Sequence, residues 1–108
     1  MESSPALAQL GLEINKVNQA NGWDIPAPAD WNDENRIPTF LALIHSEVSE
    51  ALEGFRHNDR ENFNEELADV LIRVLDLATG LGIDIDHEVA QKMEKNRCRQ
   101  HRHGWKRI

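Results

Sequence analysis

The sequence predicts an all-α protein, and three observations carry that expectation. Apolar residues recur every three to four positions through four separate stretches. No stretch alternates apolar and polar residues as a half-buried strand would. Two acidic motifs, Glu47-Val-Ser-Glu50 and Glu66-Leu-Ala-Asp69, each set two carboxylates one helical turn apart.

The first helix is expected from Pro5, with Ser4 as its N-cap, because proline is tolerated in the first turn. Leu7, Leu10, Ile14 and Val17 form its apolar stripe, and Asn21-Gly22 ends it. Residues 22–37 read as a long connection holding Trp23, Pro26, Pro28 and Trp31. A second helix runs from about Pro38 to Phe55, with Phe40, Leu41, Ile44, Val48, Ala51, Leu52 and Phe55 on one broad face. A third runs from about Glu61 to Thr79, with Phe63, Leu67, Val70, Leu71, Val74 and Leu75, and is stopped by Gly80 and Gly82. A fourth starts near Asp86, its expected N-cap, and reaches about Arg99. The link between the second and third helices is very short, so they are antiparallel neighbours. The whole chain, 1–108, is expected to be one domain, a four-helix bundle. Its core is small for a lone monomer, so completion by dimerisation is expected.

The formal net charge is −7, unevenly spread. Residues 1–91 hold 18 acids and 5 Lys or Arg, whereas residues 92–108 hold 7 Lys or Arg and one acid. A basic segment on an acidic body suits an anionic ligand better than an extended duplex, so nucleic acid is not the expected partner. No apolar run approaches a bilayer span, which argues against a membrane role. The polar start Met1-Glu2-Ser3-Ser4 does not read as a secretory leader, and the lone Cys98 cannot form an internal disulfide. A cytoplasmic location is the expectation.

The two acidic motifs are mirror-placed about residue 58, within Arg56-His57-Asn58-Asp59-Arg60. If the chain folds back there, Glu47 lies level with Asp69 and Glu50 level with Glu66. At 100° per residue, Glu47 and Glu66 sit roughly 70–80° from the centre of their helices' apolar faces, and Glu50 and Asp69 roughly 130–140°. All four fall on the same rotational side, so an antiparallel pair brings them to one seam. Glu47 is the most inward, where an ionised carboxylate is costly unless paired or metal-bound. Glu53, Glu61, Glu65 and Asp76 point outward on the same arithmetic. A bland alternative is an ion-pair network with Arg73, Arg56 or the basic segment.

Oxygen-only donors suit Mg²⁺, or Mn²⁺, rather than zinc, which favours His and Cys. A di-iron bundle would need paired Glu-x-x-His motifs, and none occurs here. Mg²⁺ commonly works with phosphates. Lys92, Lys95, Asn96 and Arg99 share a helical face and, with Arg102 and Lys106, offer cations for a polyphosphate. Alternatively they form a solvated helix end that complements the C-terminal dipole.

Together, Glu-x-x-Glu, fifteen residues and Glu-x-x-Asp resemble the all-α nucleoside triphosphate pyrophosphatase superfamily, which includes MazG-like enzymes and dimeric dUTPases. Leu41–Glu53 resembles that group's second helix and Glu65–Leu71 its third. Lys92-Met-Glu-Lys-Asn-Arg97 with His101-Arg-His-Gly104 resembles the basic segment of small MazG-like members. The resemblance spans residues 38–106 and implies Mg²⁺-dependent hydrolysis of an NTP or dNTP to the monophosphate and pyrophosphate. It implies Glu47, Glu50, Glu66 and Asp69 as metal ligands and Lys95, Asn96 and Arg99, with Lys92, as substrate contacts. The expected assembly is a homodimer, or a tetramer built as a dimer of dimers. Glu47 is assigned as general base, because burial raises a carboxylate's proton affinity. Trp31 or Trp23 is a candidate to stack on the base, with a core or loop-anchoring role as the alternative, and His101 and His103 are candidates to contact phosphate. Two departures bear on substrate choice: Ser46 replaces a common acid, and Trp105 a common glycine. The competing functional expectation is a non-catalytic helical module that binds a nucleotide or a partner.

Overall fold

The computed structural model describes residues 5–98, and within them the chain forms four α-helices and one short 3-10 turn. These are α1 (Ala6–Ala20), the 3-10 turn (Pro28–Asn32), α2 (Arg36–Arg56), α3 (Arg60–Leu81) and α4 (Ile85–Cys98). No strand occurs among the described residues. Ser4, the expected cap of α1, lies outside them.

α2 and α3 form the hairpin that the acidic motifs imply, and their pairing is the most extensive in the molecule. The chain reverses at Asn58, in the left-handed region at φ 54°, which asparagine tolerates better than most residues. Asp59 then caps α3, its carboxylate accepting from the Asn62 amide at 3.1 Å. α3 runs through Gly80 and ends only at Gly82, whose φ of 76° continues no helix. Gly80 does something else: a Cβ there would collide with the Pro26 backbone. The missing side chain lets the 21–35 connection lie against α3.

α1 packs mainly on α3, and α4 touches α1 and α3 at one end. Asp86 does not cap its own helix. Its two carboxylate oxygens accept from the Leu7 and Ala8 amides at 3.1 and 2.9 Å, capping α1 from across the fold. Asp84 caps α4 instead, accepting from the His87 amide at 3.2 Å. The correction has a plain cause: α4 starts at Ile85, so Asp86 lies inside the first turn and its carboxylate is free to reach another helix.

Among the described residues the buried apolar side chains are few: Ile14, Pro26, Ala51, Leu75 and Ala78, with Leu75 the large one that is fully enclosed. Large apolar residues are left in solvent along α2 and α3, among them Leu41, Val48, Leu52, Phe55, Leu67 and Leu71. No described helix is long and apolar enough to cross a membrane.

Candidate functional site

The hairpin brings three of the four predicted acids together. One carboxylate oxygen from each of Glu47, Glu66 and Asp69 lies within 4.8 Å of the others. All three are half-buried. Glu50 is exposed and stands outside this triad, although its charge reaches Glu66. The rotational arithmetic does not separate the two, since it sets Glu50 and Asp69 equally far round their helices; the expected convergence of all four acids is corrected to three, with Glu50 at the rim.

The cation balance in the seam is one against three. Arg73 donates from Nε to Glu47 Oε1 at 3.0 Å, so the ion-pair alternative is realised for one acid. Arg56 takes no part; it pairs with Glu53 at 3.1 Å in solvent. Glu66 keeps one oxygen, Oε2, buried with no hydrogen-bond partner. A buried acceptor left unpaired is costly, and most such groups in folded proteins have found a partner.

Proton affinity divides accordingly. Glu66 is pushed up to about 7, first by the facing Glu47 carboxylate, then by burial and by the charges of Glu47, Asp69 and Glu50. Glu47 is held below its ordinary value by Glu66 and Arg73 despite its burial. The expectation that burial would make Glu47 the acid of raised proton affinity is therefore corrected. Two acids face each other, and the one beside Arg73 keeps the negative charge.

A cavity of about 460 Å³ opens from the seam toward α1. Glu47, Asp69 and Arg73 line its acidic end, Phe40, Leu43, Ile72 and Leu77 its apolar wall, and Asn18, Trp23, Asp24, Thr39 and Asp76 the remainder. Volume and mixed lining are those of a small-molecule site. Of the two tryptophans in the connection, Trp23 lines the cavity, whereas Trp31 lies in the 3-10 turn, 72% exposed and outside the lining.

The connection is held over the cavity by one arginine. Arg36 binds Asp24 bidentately, one contact at 3.1 Å, and donates from Nε to Asp30 at 3.3 Å. It also donates to the Ile25 carbonyl at 3.4 Å and lies 4.9 Å from the Phe40 ring centre. Its hydrogen bonds hold both aspartates below their ordinary value, and theirs raise Arg36 in turn.

Among the cavity residues that sequence reasoning missed are Asn18 and Asp76. The expectation that Asp76 points outward is corrected: it shares the face of Asp69, and α1 packs on α3 beside it. Asp76 is half-buried and accepts from Asn15 Nδ2 at 3.5 Å. Burial raises its carboxyl above the ordinary value, against hydrogen bonds from Asn18 and Asn15. The available signal was its spacing, seven residues beyond Asp69 and so on the same face of α3.

The basic residues are placed differently. Lys92, Lys95 and Asn96 are exposed on α4, and none lines the cavity. Arg99 and His103 lie outside the described residues, as do His101, Arg102 and Lys106.

The family model described as MazG nucleotide pyrophosphohydrolase domain matches residues 36–105. A protein of Cyanophage S-2L named dATP/dGTP diphosphohydrolase is 37% identical over 68 residues, which cover 63% of this chain and 61% of that protein. The match thus spans less than two thirds of the relative's length. No solved structure matches.

Proposed function

The chain belongs to the MazG nucleotide pyrophosphohydrolase family, and we propose that it hydrolyses a deoxynucleoside triphosphate to the monophosphate and pyrophosphate with Mg²⁺. The single observation that carries this reading is the uncompensated seam. Three carboxylates meet within 4.8 Å with one arginine among them, and Glu66 Oε2 is buried without a partner. A hard cation supplies what that oxygen lacks, and an oxygen-only donor set fits Mg²⁺ or Mn²⁺. Glu47, Glu66 and Asp69 would hold it, with Glu50 joining from the rim. When bound, such an ion draws charge from phosphate oxygens and makes a bound water more acidic.

The rest falls to the chain's own side chains. Glu47 and Asp69 reach the cavity, so the α-phosphate lies at that end. Arg73, also in the lining, donates to phosphate oxygens. Glu47 is the ionised member of the Glu47–Glu66 pair, so it takes the proton of the water that attacks phosphorus. The deoxyribose and base extend along Phe40 and Trp23. The relative's name, dATP/dGTP diphosphohydrolase, favours a purine.

Lys92, Lys95 and Asn96 lie outside the cavity lining, and we assign them to a triphosphate held against a second copy. We assign the exposed apolar stripe of α2 and α3, Leu41, Val48, Leu52, Phe55, Leu67 and Leu71, to that contact. So small a buried core supports an obligate homodimer, or a dimer of dimers, over a monomer. Arg99 and His103 belong to the same proposed phosphate-binding set, and Trp31, on the rim of the connection, is an outer contact.

The test is the full chain incubated with each dNTP and Mg²⁺, with monophosphate and pyrophosphate separated by chromatography. Both products, lost in EDTA and regained with Mg²⁺, are expected. Absence of both from every dNTP, or release that survives EDTA, overturns the proposal.

A further inference from the structure

The seam accounts for one end of the cavity and leaves a polar group at the other. Asp76 sits seven residues beyond Asp69 on α3, on the same face and two helical turns, roughly 10 Å, along it. That is about the span of a nucleoside from its 5′ oxygen to the far edge of its base. Phe40 and Trp23 line the same cavity and offer the flat apolar surfaces a base requires. Asp76 is thus placed where the hydrogen-bonding edge of the base arrives when the phosphates meet the seam.

The chemistry of the group narrows what it receives. An ionised carboxylate only accepts hydrogen bonds, and its two oxygens accept two adjacent donors side by side. Asn15 Nδ2 reaches Oδ1 at 3.5 Å, the long limit of a hydrogen bond, so the carboxylate keeps acceptor capacity. Asn18 of α1 also lines the cavity and acts on the Asp76 carboxylate, lowering its proton affinity against burial. Among the standard bases, guanine alone presents two neighbouring donors, N1–H and the N2 amine. Adenine and cytosine offer one amine beside a ring acceptor, and thymine one N–H between two carbonyls. Those acceptors meet the carboxylate with repulsion.

We propose that Asp76, with Asn18 beside it in the cavity lining, reads the Watson–Crick edge of guanine and makes dGTP the preferred substrate. This deepens the pyrophosphohydrolase reading and rests on it. Asp76 makes no contact with phosphate or the reacting water; its role is specificity.

The experiment compares kcat/KM for dGTP, dITP and dATP with the full chain and Mg²⁺. Inosine keeps N1–H and lacks only the N2 amine. Wild type is expected to favour dGTP over dITP by about 10- to 100-fold, the worth of one hydrogen bond to a charged group, and over dATP by more. Asp76→Asn, which presents one acceptor and one donor, is expected to collapse the dGTP:dITP ratio toward unity, mainly through KM. Asn18→Ala is expected to narrow it partly, and serves if Asp76→Asn does not fold. A carboxylate that merely ties α1 to α3 would lower the melting temperature in either variant and leave the ratio unmoved. Equal kcat/KM for dGTP and dITP in wild type, or an unchanged ratio in the variants, overturns the assignment while leaving pyrophosphohydrolysis intact. No pyrophosphate from any nucleotide overturns both.

Discussion

Two groups of acids in this chain meet arginine with opposite results. In the connection, Asp24 and Asp30 share Arg36, and both carboxylates titrate below their ordinary value. In the hairpin seam, Glu47, Glu66 and Asp69 have Arg73 alone, and Glu66 rises to about 7. The first group is complete, and its charge holds a loop in place. The second is left unbalanced by the protein itself, with a buried oxygen that nothing in the described chain satisfies. Charge that a fold compensates is structural; charge concentrated at some cost to stability is where a ligand of opposite sign belongs.

The largest expected effect comes from the unbalanced group. Glu47→Gln and Asp69→Asn should each lower Mg²⁺-dependent pyrophosphate release by at least about a hundredfold, with the far-UV helical signal kept. Turnover retained in both variants would break the metal-site assignment. Glu66→Gln should do the same to activity and raise the melting temperature of the metal-free protein at neutral pH, because it removes one of the facing charges.

Next comes a pH signature that the two groups show on opposite sides. Glu66 has an ordinary value of 4.5 and titrates at about 7 when folded. Between those values the native state holds a proton that the unfolded state has released. Metal-free stability should therefore fall as pH rises from about 4.5 to about 7. Asp24 and Asp30 are depressed from 3.8, so their contribution is present above 3.8 and is lost as pH falls further. Glu47, held below 4.5, behaves like them. Thermal melts in EDTA across pH 3–8 should show both flanks, and Mg²⁺ should remove the neutral one alone. A neutral flank that persists in Glu66→Gln would place its origin elsewhere.

How much of this was legible beforehand follows from the same contrast. The helices, the hairpin about Asn58 and the convergence of Glu47, Glu66 and Asp69 rest on periodicity within one chain segment, and periodicity is local. Glu50 departs from the expected quartet: the angular arithmetic gives it the same standing as Asp69, yet it is exposed and outside the triad. The other misses involve a third element. Asp86 caps α1 from α4, and Asp76 turns inward because α1 lies across it. Helical wheels for α3 and α4 contain nothing about where α1 will pack. Trp23 and Trp31 could not be separated either, since the choice depends on how Arg36 draws the connection back toward α2.

A smaller effect is expected from the complete group. Arg36→Gln should release Asp24 and Asp30 and let the wall carrying Trp23 move. KM should rise by roughly three- to tenfold, the scale on which loss of preorganisation weakens a small-molecule site, with kcat nearly unchanged. A fall in kcat comparable to that of Asp69→Asn would mean that Arg36 acts on the reaction itself, and the division between structural and functional charge would fail.

The smallest effect is expected where charges are paired in solvent. Arg56 donates to Glu53 at 3.1 Å, but the two side chains are 65% and 50% exposed. His57 also approaches Glu53, at 3.4 Å, so the carboxylate is not stranded if Arg56 goes. Water solvates both partners almost as well as they solvate each other, and holding two long side chains together costs entropy. Arg56→Ala should therefore change stability by no more than about 0.5 kcal/mol in a urea melt, with activity untouched. A loss above about 1.5 kcal/mol would show that pairing stabilises this hairpin irrespective of burial. The facing Glu47 carboxylate and burial, and not the count of pairs, separate Glu66 from Glu53 on the same two helices, and this exposed pair is where that separation is most simply put at risk.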